Sequence, residues 1–135
     1  MKKRMIALLV TCTMFFGTIS VVSAKDTADS EISPLWESII MIGAYLEQSG
    51  YAEGAAMLKT NDYVYVRLDL QEKVGSRWVS TGDYNVGSGF GDCVVTDDFT
   101  LEDGVNYRAK VTVNAYDDSY QLIESDTQYS SVVVG

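Results

Sequence analysis

The chain has 135 residues, with 19 acidic and 10 basic side chains, two cysteines and no histidine. The lack of histidine excludes Ser-His-Asp and Cys-His catalysis, histidine metal sites and pH switching by imidazole. The acidic excess argues against nucleic-acid binding, because the sequence shows no basic stripe that could meet the phosphates.

The first 24 residues are typical of a cleaved secretory signal peptide. A positive start (Lys2, Lys3, Arg4) precedes an apolar run over residues 5–22, which ends in the small residues of Val22-Ser23-Ala24. This order of charge, apolar run and small residues is what signal peptidase requires. We therefore expect a secreted protein with no membrane attachment after cleavage. Two alternatives are a retained anchor, since the run is long enough to span a bilayer, and lipidation of Cys12.

Removal of residues 1–24 leaves 111 residues with seven basic and nineteen acidic side chains, a net charge of −12. Residues 25–34 are polar and read as a linker, and residues 35–135 are long enough for one domain with its own core. Cys93 is then the only cysteine, so no intramolecular disulfide can form.

Period-two alternation runs through most of residues 35–135, with turn signals between the runs. Candidate strands cover residues 38–47, 52–59, 63–72, 77–84, 92–100, 106–116 and 122–134. A helix competes only over residues 38–46, where β-branched side chains and Gly43 favour a strand. Gly87-Ser88-Gly89 reads as a turn after the fourth strand. The pattern predicts an all-β fold, a seven-stranded antiparallel sandwich of the immunoglobulin-like type.

The sixth strand begins its core-facing set at a tyrosine, Tyr107. A buried tyrosine hydroxyl needs a hydrogen-bond partner, and the turn from Leu101 to Gly104 can supply one from its backbone. This arrangement is a tyrosine corner, as found at the start of the sixth strand of immunoglobulin-like sandwiches.

Leu101, Gly104 and Tyr107-Arg108 together resemble the corner segment of fibronectin type III domains, although Asp103 stands where that family has proline. Residues 124–133 are similar to the serine-rich last strand of those domains. Nearly the whole mature chain resembles small secreted proteins of anaerobic Firmicutes, from families of unknown function. The matching motifs are Trp36, Leu70-Gln71 with Trp78-Val79, Tyr107-Arg108 and Tyr129-Ser130. The resemblance implies a fold and transfers no catalytic residue.

Three acidic pairs could in principle serve a glycosidase or bind calcium: Asp97-Asp98, Glu102-Asp103 and Asp117-Asp118. Neighbouring strand residues point to opposite faces, which does not suit a catalytic pair. No loop has the EF-hand spacing either. The favoured interpretation is solvated turns, and we expect no cofactor and no metal.

Cys93 is the one candidate nucleophile, and its surroundings argue against that role. No histidine is present to activate it, and Asp92 next to it should raise the pKa of the thiol. Cys93 shares the phase of Val95 and Phe99, which predicts a small buried side chain. The same phase turns Asp97 inward, so we also expect a bulge in this strand.

Outward tyrosines are the strongest functional signal. Tyr63 and Tyr65 face away from the core, and Tyr116 does the same on the sixth strand, which an immunoglobulin-like sandwich pairs with the third. They should form one exposed patch on the face that also carries Arg67 and Arg108. Such a patch could stack on sugar rings or grip a protein. The alternative is cross-strand pairing that only stabilises the sheet.

The sequence thus favours a secreted, non-catalytic binding module for an extracellular carbohydrate or protein. The alternative is a structural or stress-related acidic extracellular protein with no small-molecule ligand. A hydrolase using paired carboxylates is the least favoured hypothesis.

Overall fold

The computed structural model describes residues 37–135, which form an all-β domain. The predicted signal peptide (residues 1–24), the linker (residues 25–34) and Trp36 lie outside the described residues. The strands are β1 (Ile39–Leu46), β2 (Tyr51–Leu58), β3 (Tyr63–Val74), β4 (Arg77–Phe90), β5 (Asp92–Asp98), β6 (Asn106–Tyr116), β7 (Leu122–Tyr129) and β8 (Val133–Val134).

The strands form two antiparallel sheets. The smaller sheet has the order β1-β2-β5, and the larger has the order β4-β3-β6-β7, with β8 pairing the start of β6. The predicted antiparallel β-sandwich is confirmed. β3 lies beside β6, with Tyr63 opposite Tyr116 and Tyr65 opposite Asn114.

The core lies between the sheets and is built by alternation. β3 contributes Val64, Val66, Leu68 and Leu70, and β6 contributes Tyr107, Ala109, Val111, Val113 and Ala115. These residues are buried because every second side chain of a strand points to the same face. At Gly54 on β2 the sheets approach closely, since an added Cβ would lie 3.0 Å from a methyl group of Val111.

Residues 37–135 contain eight strands where the sequence predicts seven, because the last predicted strand is interrupted near Ser130. The backbone N–H of Ser130 donates to the carbonyl of Ala109 at 2.9 Å, and the side-chain hydroxyl of Ser130 accepts from the N–H of Ala109 at 2.8 Å. A side chain thus replaces a carbonyl in the ladder. The chain then resumes as β8 opposite Asn106 and Tyr107.

The predicted turn at Gly87-Ser88-Gly89 is wrong, since these residues lie inside β4 and pair with β3. Their glycines serve close packing between the sheets. A Cβ on Gly87 would lie 2.8 Å from a methyl group of Val95, and one on Gly89 would collide with the backbone of Asp92. The actual corner is Gly91, with φ at +79°, which leads the chain from one sheet directly into the other.

The bulge expected in β5 is also absent, because β5 pairs with β2 in continuous register from Met57–Asp92 to Tyr51–Asp98. Asp97 avoids burial of its charge by its position at the end of the strand. It remains partly exposed, and its carboxylate accepts a hydrogen bond from the N–H of Asp98 at 2.8 Å.

Tyr107 is buried, as its place in the alternation predicts. Its hydroxyl oxygen accepts a hydrogen bond from the backbone N–H of Glu102 at 3.0 Å. This bond ties the turn over residues 101–104 to the start of β6. Gly104 adopts a φ of +78° in that turn, and its N–H donates to the carbonyl of Gly135 at 3.0 Å.

Candidate functional site

The outer face of the larger sheet presents a broad, flat surface of aromatic, basic and hydroxyl side chains. The register aligns the outward residues of four strands in rows: Phe90, Tyr63 and Tyr116 in one row, and Ser88, Tyr65, Asn114 and Ser125 in the next. The inward neighbours of these residues fill the core, so the alternation that builds the core also exposes this face.

Four rings meet at one end of this face, and we call them the tyrosine cluster: Tyr63, Phe90, Tyr116 and Tyr120. Tyr63 lies at the centre, with ring centroids 5.7 Å from Phe90, 5.5 Å from Tyr116 and 5.5 Å from Tyr120. These tilted and edge-on geometries are those that aromatic pairs prefer. Phe90 and Tyr120 are 57% and 64% exposed, so the cluster offers ring surface to solvent.

The structure brings together two of the three tyrosines predicted to bind a ligand. Tyr63 and Tyr116 are in ring contact, but both are partly buried rather than fully exposed. Tyr65 lies on the same face opposite Asn114, and its ring touches no other aromatic ring within residues 37–135. Tyr63 and Tyr116 therefore stabilise the pairing of β3 with β6 and also contribute ring surface to the outer face.

Sequence reasoning missed the two most exposed rings of the cluster. Phe90 was hidden by the expected turn at Gly87-Ser88-Gly89, which placed it outside any strand. Tyr120 lies in the loop between β6 and β7 with a left-handed φ of 57°, which the strand pattern does not predict. Asp117 holds that loop, since its carboxylate accepts from the N–H groups of Ser119 at 2.8 Å and Gln121 at 3.0 Å.

At the opposite end of the face, the guanidinium of Arg108 stacks on aromatic rings. We call Arg108 and its neighbours Gln71, Trp78 and Tyr129 the arginine end. The guanidinium carbon of Arg108 lies 4.5 Å from the ring centroid of Trp78 and 3.9 Å from that of Tyr129. Its Nε donates to the side-chain carbonyl of Gln71 at 2.8 Å. Two rings and an amide thus fix the plane of this cation.

Arg67 is held in a similar way beside the arginine end. Its guanidinium carbon lies 4.0 Å from the ring centroid of Tyr84, and its Nε donates to the two carboxylate oxygens of Asp69 at 2.9 and 3.0 Å. The hydrogen bond that Arg67 donates to Asp69 raises the pKa of Arg67 above its usual value, so this group stays charged.

Cys93 is 7% exposed and lies in the core, as its phase predicts. Burial raises the pKa of its thiol, and the charge of Asp92 adds to the effect. A thiol held in its neutral form is a poor nucleophile.

The acidic loops border two shallow clefts. The larger, about 240 Å³, is lined by Asp83, Tyr84, Asp97, Asp98, Phe99 and Thr100. The smaller, beside the tyrosine cluster, includes Asp62, Asp117 and Asp118. Within residues 37–135 no three His, Cys, Asp or Glu side chains are arranged to hold a metal ion.

The smaller sheet carries a second tyrosine group that the sequence did not indicate. The hydroxyl of Tyr45 donates to Glu47 at 3.0 Å, and the rings of Tyr45 and Tyr51 are 6.4 Å apart. Burial raises the pKa of both tyrosines, and the neighbouring carboxylates of Glu47 and Glu53 raise it further. These groups are mostly buried, so they offer less to a ligand than the outer face of the larger sheet.

No protein-family model, curated protein or solved structure matches the chain. No helix within residues 37–135 has the length and apolar character needed to cross a membrane.

Proposed function

We propose that the chain is a secreted, non-catalytic binding protein that holds an extracellular carbohydrate on the outer face of its larger sheet. The observation that carries the proposal is the tyrosine cluster, where exposed rings of Phe90 and Tyr120 surround Tyr63 at the end of a flat sheet. Flat ring faces stack on the apolar faces of sugar rings and bury them with little loss of side-chain entropy.

Polar groups beside the cluster support a carbohydrate ligand over a purely apolar partner. Ser125 donates to Asn114 at 2.6 Å, and the hydroxyls of Thr112 and Thr127 are 3.5 Å apart on the same face. Such amide and hydroxyl groups can exchange hydrogen bonds with sugar hydroxyls, because they both donate and accept.

We also infer an immunoglobulin-like fold of the fibronectin type III kind. The order β1-β2-β5 against β4-β3-β6-β7 matches an immunoglobulin-like sandwich whose fourth strand has joined the second sheet. The hydrogen bond from Glu102 to Tyr107 supports the same inference, since a tyrosine corner is a hallmark of these sandwiches.

A glycan array with matched variants tests the proposal. The double variant Phe90→Ser/Tyr120→Ser removes the exposed rings and leaves the partly buried Tyr63–Tyr116 pair in place. It should still fold, with a thermal midpoint lowered only by the loss of the ring contacts to Tyr63, and it should lose glycan binding, since each ring stacked on a sugar contributes about 1 kcal/mol. As a control, Val132→Ser removes an exposed apolar side chain just before β8, at the other end of the sheet from the tyrosine cluster. This variant should bind glycans as the wild type does.

The double variant Tyr63→Ser/Tyr116→Ser separates binding from structural support. One outcome would contradict the proposal: Tyr63→Ser/Tyr116→Ser unfolds, and Phe90→Ser/Tyr120→Ser binds every glycan as well as the wild type. The rings would then only stabilise the sheet. A structural role for this acidic protein would then replace the binding role. An array on which the wild type binds nothing would reject a carbohydrate ligand.

A further inference from the structure

The arginine end concentrates positive charge on an otherwise acidic molecule. Residues 37–135 contain six basic and sixteen acidic side chains. Four of the six basic residues point outward on the larger sheet: Arg67, Lys73, Arg108 and Lys110. The acidic partner on these rows is Asp69, which is paired with Arg67. The sequence shows no basic stripe because β3 and β6 are far apart in the chain and meet only in the sheet.

The guanidinium of Arg108 is oriented for a ligand. Its guanidinium carbon lies close to the rings of both Trp78 and Tyr129, and its Nε donates to Gln71. Within residues 37–135 its Nη groups donate to no protein acceptor, so their N–H bonds, which lie in the guanidinium plane, are available to a ligand. A fixed guanidinium edge matches the two oxygens of a carboxylate.

Two further cations stand beside Arg108. Lys110 follows two residues later on the same face of β6, about 7 Å along the strand. Lys73 lies on the neighbouring strand β3, opposite Trp78 of β4, with its ammonium 6.0 Å from the ring centroid of Trp78. An anionic group at Arg108 would therefore bind in the combined field of three neighbouring positive charges, next to the exposed ring of Tyr129.

The other end of the face has the opposite charge. Asp62, Asp117 and Asp118 border the cleft beside the tyrosine cluster. Tyr63 and Gln71 on β3 are eight residues apart, which separates the two ends by about 27 Å. Like charges repel, so an anionic unit is directed to the arginine end and a neutral unit to the tyrosine cluster.

We propose that the arginine end is a subsite for a carboxylate-bearing sugar, a uronic acid unit within the bound carbohydrate. This inference rests on the proposed function and adds the chemical class of one ligand unit. The carboxylate binds the Nη edge of Arg108 and the ammonium of Lys110, and the sugar ring lies against Tyr129. A single-stranded nucleic acid also suits basic and aromatic groups, but the sixteen carboxylates of the domain repel a long polyanion.

Calorimetric titration of the mature chain with trigalacturonic acid and with its methyl ester tests the inference. The two probes share one sugar skeleton and differ in charge. Trigalacturonate should bind at least about tenfold more tightly than the ester, and this preference should shrink in 0.5 M NaCl because salt screens exposed charges.

Charge variants locate the subsite. Arg108→Lys keeps the charge but removes the planar fork, and should weaken trigalacturonate binding about tenfold. Lys110→Gln should weaken it about threefold. Lys59→Gln removes an exposed cation that lies outside this face, and should leave the affinity within about twofold.

Each other outcome overturns the inference. Equal binding of the acid and the ester would show that the arginine end does not recognise a carboxylate, and would leave the proposed carbohydrate function standing. Binding of neither probe would overturn the inference, with the glycan array deciding the proposed function separately. Tighter binding of an oligothymidylate than of trigalacturonate would replace the sugar by a nucleic acid. An equal loss in Lys59→Gln and Lys110→Gln would show a diffuse charge effect with no subsite.

Discussion

At the scale of single residues, the hydroxyl of Tyr107 satisfies a backbone N–H that has left the strand ladder. Tyr107→Phe keeps the ring and leaves the N–H of Glu102 without this acceptor. The free energy of unfolding, measured by urea denaturation, should fall by about 1–3 kcal/mol. Tyr65→Phe is the matched control, because its hydroxyl makes no hydrogen bond within residues 37–135, and it should cost less than about 0.5 kcal/mol. Equal losses in the two variants would contradict the role given to Tyr107.

Cys93 provides a second test at this scale. Burial and Asp92 raise the pKa of its thiol, so the reactive thiolate is scarce near pH 8 in the folded state. A thiol reagent at pH 8 should label the folded chain on the order of 100-fold more slowly than the unfolded chain, since the core must open first. Val94→Cys in a Cys93→Ala background moves the thiol to an exposed neighbour and should label fast. Fast labelling of Cys93 itself would place it outside the core.

At the scale of strands, the two sheets touch where Gly54 of β2 faces Val111 of β6. A methyl group on Gly54 would lie 3.0 and 3.2 Å from the two methyl groups of Val111. Gly54→Ala should therefore lower the free energy of unfolding by about 1–3 kcal/mol through overpacking. In Gly54→Ala/Val111→Ala the clash is gone, so the double variant should be about 1 kcal/mol more stable than the sum of the single changes. Strict additivity, measured by urea denaturation, would show that the sheets can separate at this point.

At the scale of the whole molecule, the acidic excess should make stability depend on salt. Sixteen carboxylates against six basic groups repel one another in the compact state of residues 37–135. Raising NaCl from 20 to 500 mM at pH 7 should increase the thermal midpoint by about 4 °C, the shift that roughly 1 kcal/mol gives a domain of this size. The increase should disappear near pH 4, where many carboxylates are protonated. A salt effect of equal size at both pH values would contradict charge repulsion as the cause.

Local patterns in the sequence were enough to predict most strands. β6 occupies the predicted residues, Asn106–Tyr116, because its side chains alternate without a break between a polar turn and an acidic turn. The place of Tyr107 in that alternation also predicts its burial and its hydrogen bond to the nearby turn. Both follow from contacts between residues close in the chain, which a sequence pattern can express.

The errors occur where distant residues decide the structure. Gly87 and Gly89 look like turn residues, but they are glycines because β5 passes too close for a side chain. The break at Ser130 depends on a hydroxyl that pairs with Ala109, twenty-one positions earlier. No local pattern contains either contact.

The sequence by itself determined the β-sandwich, the core faces of β3 and β6, and the outward direction of Tyr63, Tyr65 and Tyr116, because strand alternation is a local property of the chain. The tertiary structure decided which outward residues meet. Pairing of β3 with β4 and β6 brought Phe90 to Tyr63, and the left-handed turn at Tyr120 added a further ring. The same pairing brought Arg108 close to the rings of Trp78 and Tyr129, thirty and twenty-one positions away. A surface assembled from four strands depends on register, and register is fixed by packing between sheets rather than by any one segment.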